Sequence, residues 1–378
     1  MTGTSRDWLQ PQDSEFLTVL RSLSIFIIVF GHCGGFYFYR PWSEFLHVFV
    51  PVFFFISGAV SYNGFLRKTT VAQYLSKRII GLLIPYYCFC MIALIVFVVQ
   101  HAKFPEFDLG NFMKWATISP KDSIMPFPSG HVWFLHTLMI ISLVSPLVFW
   151  LYQRHSFVFI VFLCCSVLAS AVQIKYNIGP FFEIAGQNLF KPLVHIVFFC
   201  AGFIVIDHPK LRSPHVSFAI VILSLIASTV LVKTLNLNID YAFHTYSPDL
   251  YYVAGSLGAI WLLLLLQPYI LKLYEVSPSL VHAASNFFFR HTFSIYLLHT
   301  FSMFIVAAIY TPGNAQQKTF LYGILKLVSV LLITVILSPM FTKVTSLISN
   351  RILILITGGT TSRPVSTVSG RQNPDSSR

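Results

Sequence analysis

Arg21 and His32 lie eleven residues apart in FLTVLRSLSIFIIVFGHCGGFYFYR, residues 16–40, a stretch that is otherwise almost wholly apolar. A guanidinium is a permanent cation that suits anions, and an imidazole titrates near neutral pH. On a helix turning about 100° per residue, eleven residues make three turns plus about 20°, so the two side chains share a face, about 16 Å apart along the axis. A charged group inside a membrane helix costs on the order of 2.5–3.5 kcal/mol even on insertion scales, and it ordinarily faces a partner or a cavity. The bland readings are an arginine snorkelling to the interface and a histidine bonding to a neighbouring helix; a shared face makes it harder for both to hold.

Further groups recur along the chain. VPVFFFISGAV, residues 50–60, carries Ser57 and Gly58, small enough for close helix approach. YLSKRIIGLLIPYY, residues 74–87, puts Lys77 and Arg78 at the start of another apolar run, with Pro85 expected to kink it. The basic pair either marks the cytoplasmic flank of a span or holds phosphates of an anionic donor. GHVWFLHTL, residues 130–138, contains His131 and His136, with Trp133 and Phe134 between them; an interfacial anchor is the plain alternative for Trp133. In FSIYLLHTF, residues 293–301, Tyr296 and His299 are three apart and share a helix face. Glu183 and His195 complete the polar candidates, His195 being as readily a buried structural histidine. The six cysteines have no zinc-like or redox spacing, and no metal site is implied.

The elements that hold these residues follow from composition. Of 378 residues, 56% are hydrophobic and only 10% charged, against roughly 25% charged in soluble domains. The fold class is all-α: a polytopic membrane protein with about ten spans, at 16–36, 44–63, 79–100, 132–152, 156–174, 191–206, 215–233, 250–271, 292–310 and 320–340. Residues 341–357 either extend the last span or lie along the membrane surface. The chain divides into a cytoplasmic N-terminal segment 1–15, a membrane domain 16–357 and a disordered cytoplasmic tail 358–378. The net charge of +12 sits in short links, a pattern of membrane orientation and not of nucleic-acid binding. Of the 25 Lys and Arg residues, fifteen fall on one side of the ten spans and eight on the other. Both termini are therefore expected in the cytoplasm.

Four local features resemble the membrane-bound acyltransferase 3 family of bacterial O-acyltransferases. They are the Arg21/His32 pair of the first span, PVFFFISG at 51–58, KRIIGLLIP at 77–85, and WFL at 133–135 together with IYLLH at 295–299. They occur in the family's order across most of the chain. One feature departs: the family often has two arginines three apart where this chain has Arg78 and Gly81, with Lys77 adjacent.

The resemblance implies a ten-span bundle that moves an acyl group, commonly acetyl from acetyl-CoA as co-substrate, to a sugar hydroxyl of a surface polysaccharide or its lipid-linked precursor. Stand-alone members of this kind resemble exopolysaccharide O-acetyltransferases of xanthan-type pathways. With it, Lys77, Arg78 and Arg21 are expected to hold the donor. His32, with Arg21, is expected to do the chemistry, either as general base or as transient nucleophile. Trp133, Phe134, His136, Tyr296, His299 and Glu183 are expected around the acceptor. The expected location is the bacterial inner membrane, with the acyl-CoA on the cytoplasmic side, a lipid-linked saccharide as acceptor and a polysaccharide assembly complex as a candidate partner. A transporter of a polysaccharide intermediate and a non-catalytic synthase subunit remain the alternatives, the first distinguished by consuming no thioester and the second by tolerating mutation of His32.

Overall fold

Long apolar runs leave the backbone no solvent to bond, so each closes its hydrogen bonds within itself as a helix. The computed structural model describes residues 9–34, 42–67, 70–104, 115–118, 130–184, 187–310 and 320–357. The helices are α1 (Pro11–His32), α2 (Phe49–Leu66), α3 (Val71–His101), α4 (Trp133–Arg154), α5 (Ser156–Tyr176), α6 (Phe190–Asp207), α7 (Pro214–Leu235), α8 (Tyr241–Tyr246), α9 (Leu250–Leu265), α10 (Gln267–Glu275), α11 (Ser279–Ile309) and α12 (Phe320–Thr357). Short 3₁₀ turns at Trp42–Val48 and Gly130–Val132 precede α2 and α4. Among the described residues nine helices are long and apolar enough to cross a membrane, and the bent pair α9–α10 meets the same test when its two helices are taken together as one span, giving nine to ten. The protein is therefore an all-helical polytopic membrane protein. A two-residue ladder, β1 (Glu183–Ile184) with β2 (Gln187–Asn188), pairs Glu183 with Asn188 in the α5–α6 connection.

Several boundaries differ from the sequence reading. The eighth span is broken: α9 and α10 meet at 53°. Pro268, in the first turn of α10, lacks an N–H and crowds the carbonyl four residues back, which ends α9 at Leu265. Thr70 caps α3 by accepting from the Gln73 N–H at 3.2 Å, so α3 begins well before residue 79 and runs on through Pro85. Helix α11 begins at Ser279 rather than 292, which places Arg290 on a helix instead of in a link. Helix α12 continues to Thr357; its 38 residues span about 57 Å, well beyond the roughly 30 Å hydrocarbon layer. Residues 341–357 are thus a continuation of the last helix. Residues 1–8 and the tail 358–378 lie outside the described residues.

Two features set where the site residues sit. Helices α2 and α6 cross almost backbone to backbone: a Cβ on Gly58 would stand 1.8 Å from the Phe199 carbonyl oxygen, and one on Gly202 would stand 2.0 Å from that of Phe55. This is the small-residue packing expected for Gly58. Helices α1 and α11 run side by side in the same direction. The Ser22 hydroxyl donates to the Ser285 carbonyl at 2.7 Å, Arg21 lies over the Phe289 ring at 5.3 Å, and Phe26 meets Phe288 edge-on at 6.0 Å. That register carries His32 up to the level of His299. Gly34, at φ 97°, supplies the left-handed residue that stops α1 just past His32, leaving the imidazole in the last turn.

Candidate functional site

Arg21, Lys77 and Arg78 line one cavity of about 240 Å³, together with Ser57, Gly81, Phe134, Leu138 and Tyr296. Helix α2 brings Ser57 to Arg78: its hydroxyl accepts from a terminal N–H of the guanidinium, and Ser142 accepts from Nε at 3.2 Å. Ser142 in turn donates to the Leu138 carbonyl at 2.7 Å, fixing its lone pairs toward the arginine. A guanidinium has five N–H donors, so two neutral hydroxyls leave Arg78 incompletely satisfied and its charge unneutralised. Among the described residues no carboxylate forms an ion pair with Arg21 or Arg78. Two half-buried cations and an exposed lysine around a hollow, without acidic partners, have the charge and the free donors to take an anion.

A second cavity of about 40 Å³ lies toward the far end of α1. It is lined by His32, His47, His131, Trp133, Phe134 and Tyr296, among others. Beside this cavity three imidazoles from three elements come together, two of them, His32 and His131, lining it. His32 from α1 and His299 from α11 approach to 2.6 Å between Nδ1 and Nε2. His131, from the turn before α4, has its ring centroid 5.1 Å from that of His299 and 6.4 Å from that of His32. Tyr296 holds this turn in place by donating its hydroxyl to the His131 carbonyl at 2.5 Å. Phe134 and Tyr296, whose rings are 5.5 Å apart, line both cavities. They form the partition between a cationic chamber and a histidine chamber.

Of the residues singled out in the sequence, Arg21, Lys77, Arg78, Phe134 and Tyr296 share the larger cavity, and His32, Trp133, Phe134 and Tyr296 the smaller. His299 is fully buried behind His32. His136 is buried on α4 but lines neither cavity, and Glu183 is exposed on β1, also outside both. His195 is fully enclosed, with Nδ1 bonded to the Lys191 carbonyl at 2.8 Å and Nε2 3.4 Å from the Tyr252 hydroxyl.

Three participants were not singled out for this role. Ser57 reads in sequence as a packing residue, and only the approach of α3 reveals its hydroxyl against Arg78. Ser142 is one serine among many in apolar helices. His47 follows Glu44 by three residues and comes within 3.4 Å of its carboxylate; that pairing at the start of an apolar run is the signal that could have found it.

Among the described residues no group of three or more His, Cys, Asp or Glu side chains is arranged to hold a metal ion.

Compared with known proteins, a family model described as an acyltransferase domain matches residues 14–339. No curated protein matches, and no solved structure matches.

Proposed function

The chain belongs to the acyltransferase 3 family, and on that premise we propose that it takes an acetyl group from acetyl-CoA on the cytoplasmic side and esterifies a sugar hydroxyl of a bacterial surface polysaccharide or its lipid-linked precursor. The chain is a membrane acyltransferase by family; donor, acceptor and sidedness are the proposal. The observation that carries it is the pair of neighbouring chambers that share Phe134 and Tyr296 as a wall, one cationic and one lined with imidazoles.

An acyl-CoA is a polyanion with a long, thin arm ending in the reactive thioester. Arg21, Lys77 and Arg78 fit the phosphates at one end, and Arg78 is oriented for them by Ser57 and Ser142. The cavity, at about 240 Å³, is smaller than the roughly 300–1,000 Å³ of sites that enclose drug-sized ligands. It suits the arm, with the nucleotide left outside near exposed Lys77. The arm then points past Phe134 and Tyr296 to His32.

There the imidazole Nε2 takes the proton of the acceptor hydroxyl as its oxygen bonds to the thioester carbonyl carbon; the C–S bond breaks and the thiolate of CoA leaves with a proton. In the alternative route the same nitrogen carries the acyl group transiently. Aromatic Trp133 and Phe134 offer faces for a sugar ring. The excess of basic residues in one set of links supports both termini, and the Lys77/Arg78 end, in the cytoplasm of a bacterial inner membrane.

The test is to supply radiolabelled acetyl-CoA to the full-length protein in lipid vesicles with lipid-linked saccharides as acceptors. Alkali-labile label in the saccharide fraction is expected. Label that stays in CoA, or leaves only as free acetate, would contradict the reading.

A further inference from the structure

His299 has no exposed surface and lies outside both cavity linings, so it touches neither donor nor acceptor. Its geometry against His32 is nevertheless tightly defined. The planes of the two rings differ by 11°, their centroids are 4.9 Å apart, and Nδ1 of His32 is 2.6 Å from Nε2 of His299. The centroid separation exceeds the nitrogen separation by about the two ring radii. Both nitrogens therefore lie on the line between the centroids, and that line lies in both ring planes. The rings are edge to edge, not face to face, with the lone pair of one nitrogen aimed along the N–H of the other. This is a well-aligned hydrogen bond and not a stacking contact.

Which ring donates is fixed one step further back. Nδ1 of His299 lies 3.2 Å from the Ile295 carbonyl oxygen, four residues earlier on α11. A carbonyl oxygen can only accept, so this bond requires the proton on Nδ1 of His299. A neutral imidazole has one N–H; Nε2 of His299 is then the acceptor, and Nδ1 of His32 must be the donor. The proton of neutral His32 is thereby held on Nδ1, and its Nε2 keeps an open lone pair. His32 also lines the small cavity, and no second hydrogen bond occupies Nε2 among the described residues.

We infer that His299 is a positioning residue: by accepting the His32 Nδ1–H, with its own tautomer set by the Ile295 carbonyl, it presents the lone pair of His32 Nε2 to the reacting groups. The inference rests on the assignment of His32 made above and deepens it. It serves both routes, since base and nucleophile use the same lone pair. The logic is that of a carboxylate behind a catalytic histidine, with a neutral imidazole as the acceptor. The opposite tautomer would place the proton of His32 on Nε2 and block both routes.

The experiment combines a spectroscopic and a kinetic readout on the full-length protein in lipid. With ¹⁵N-labelled histidine, the His32 signals are assigned by their loss in His32→Ala. At a pH where the ring is neutral, wild type is expected to show a protonated, pyrrole-type Nδ1 and an unprotonated, pyridine-type Nε2. His299→Phe removes the acceptor without leaving a hole; His32 should then populate the other tautomer, with kcat for acetyl transfer falling about 10²-fold or more, as when a wrong tautomer is admitted in hydrolase triads, while KM for acetyl-CoA is unchanged. His299→Gln places an acceptor oxygen near the position of Nε2, and should recover part of both signals. A protonated Nε2 on His32 in wild type would overturn the inference. So would an unaltered tautomer and kcat in a folded His299→Phe. If the tautomer behaves as stated but His32→Ala still transfers acetyl at the wild-type rate, the chemical role of His32 fails and the orientation by His299 stands.

Discussion

Two buried histidines, His195 on α6 and His299 on α11, each set Nδ1 within hydrogen-bond reach of the carbonyl four residues earlier, at Lys191 (2.8 Å) and Ile295 (3.2 Å). The helix itself thus protonates Nδ1 in both and leaves Nε2 as an acceptor. What separates them is the group that Nε2 meets. For His195 it is the Tyr252 hydroxyl at 3.4 Å, among the rings of Phe54, Trp133 and Phe198. A tyrosine hydroxyl has no further nitrogen to hand the constraint on to, so His195 is a satisfied core group. For His299 the partner is another imidazole, that of His32, which has a second nitrogen to which the constraint passes and which itself lines the smaller cavity. The same local device is structural in one place and functional in the other, and the difference lies only in the neighbour.

That contrast is sharpest in a pair of substitutions. His195→Gln should cost about 1–3 kcal/mol of stability, through imperfect pairing of buried polar groups, while kcat per folded molecule changes little; His299→Phe should do the reverse. Thermal unfolding and steady-state acetyl transfer on the same preparations check this. Equal kinetic losses in the two variants would erase the distinction.

A smaller effect is expected at the cationic chamber. Arg78→Ala should raise KM for acetyl-CoA about 10- to 100-fold, the range of one or two lost hydrogen bonds to a charged group, with less change in the response to acceptor. Ser57→Ala should raise it only a few-fold, because Ser142 still orients Arg78. If Ser57→Ala matched Arg78→Ala, the serine would itself be a donor ligand.

The smallest effect concerns His244, on the short helix α8. Burial lowers its pKa, but the hydrogen bond and charge of the Asp249 carboxylate, 2.6 Å away, outweigh this and raise it above the ordinary histidine range. A raised folded pKa stabilises the fold fully below the ordinary value of about 6.5, and this contribution fades as pH rises through the raised value. The Tm advantage of wild type over Asp249→Asn should therefore be largest in mild acid and shrink toward alkaline pH. A difference independent of pH would assign Asp249 to its bond with the Tyr252 N–H alone.

Much of the architecture was legible because the bilayer imposes it. Apolar runs of span length mark ten segments, nine of which fall on single long helices and one on the bent pair α9–α10. Their ends were less legible, because caps such as Thr70 and breaks such as Pro268 act through single residues inside polar or apolar surroundings. Arg21 and His32 stood out because each is costly in a span. Ser57 did not, because a small residue at a helix crossing has no cost to betray it. The partner of His32 lies 267 residues away, and no periodicity reports a contact between α1 and α11. His136 and Glu183 show the converse: a polar side chain that stands out in an apolar chain need not line either of these cavities.

The central claim is that His32 moves the acyl group, or the proton that lets it move. It is tested most directly by the rate of acetyl transfer, per molecule of accumulated membrane protein, in His32→Ala at saturating acetyl-CoA. Loss of a general base ordinarily costs about 10²–10⁴-fold, so the variant should insert and accumulate like wild type, yet transfer at about one-hundredth of the rate or less. Transfer within a few-fold of wild type by a well-accumulated His32→Ala would contradict the account and move the chemistry to another imidazole of the chamber, His131 or His47.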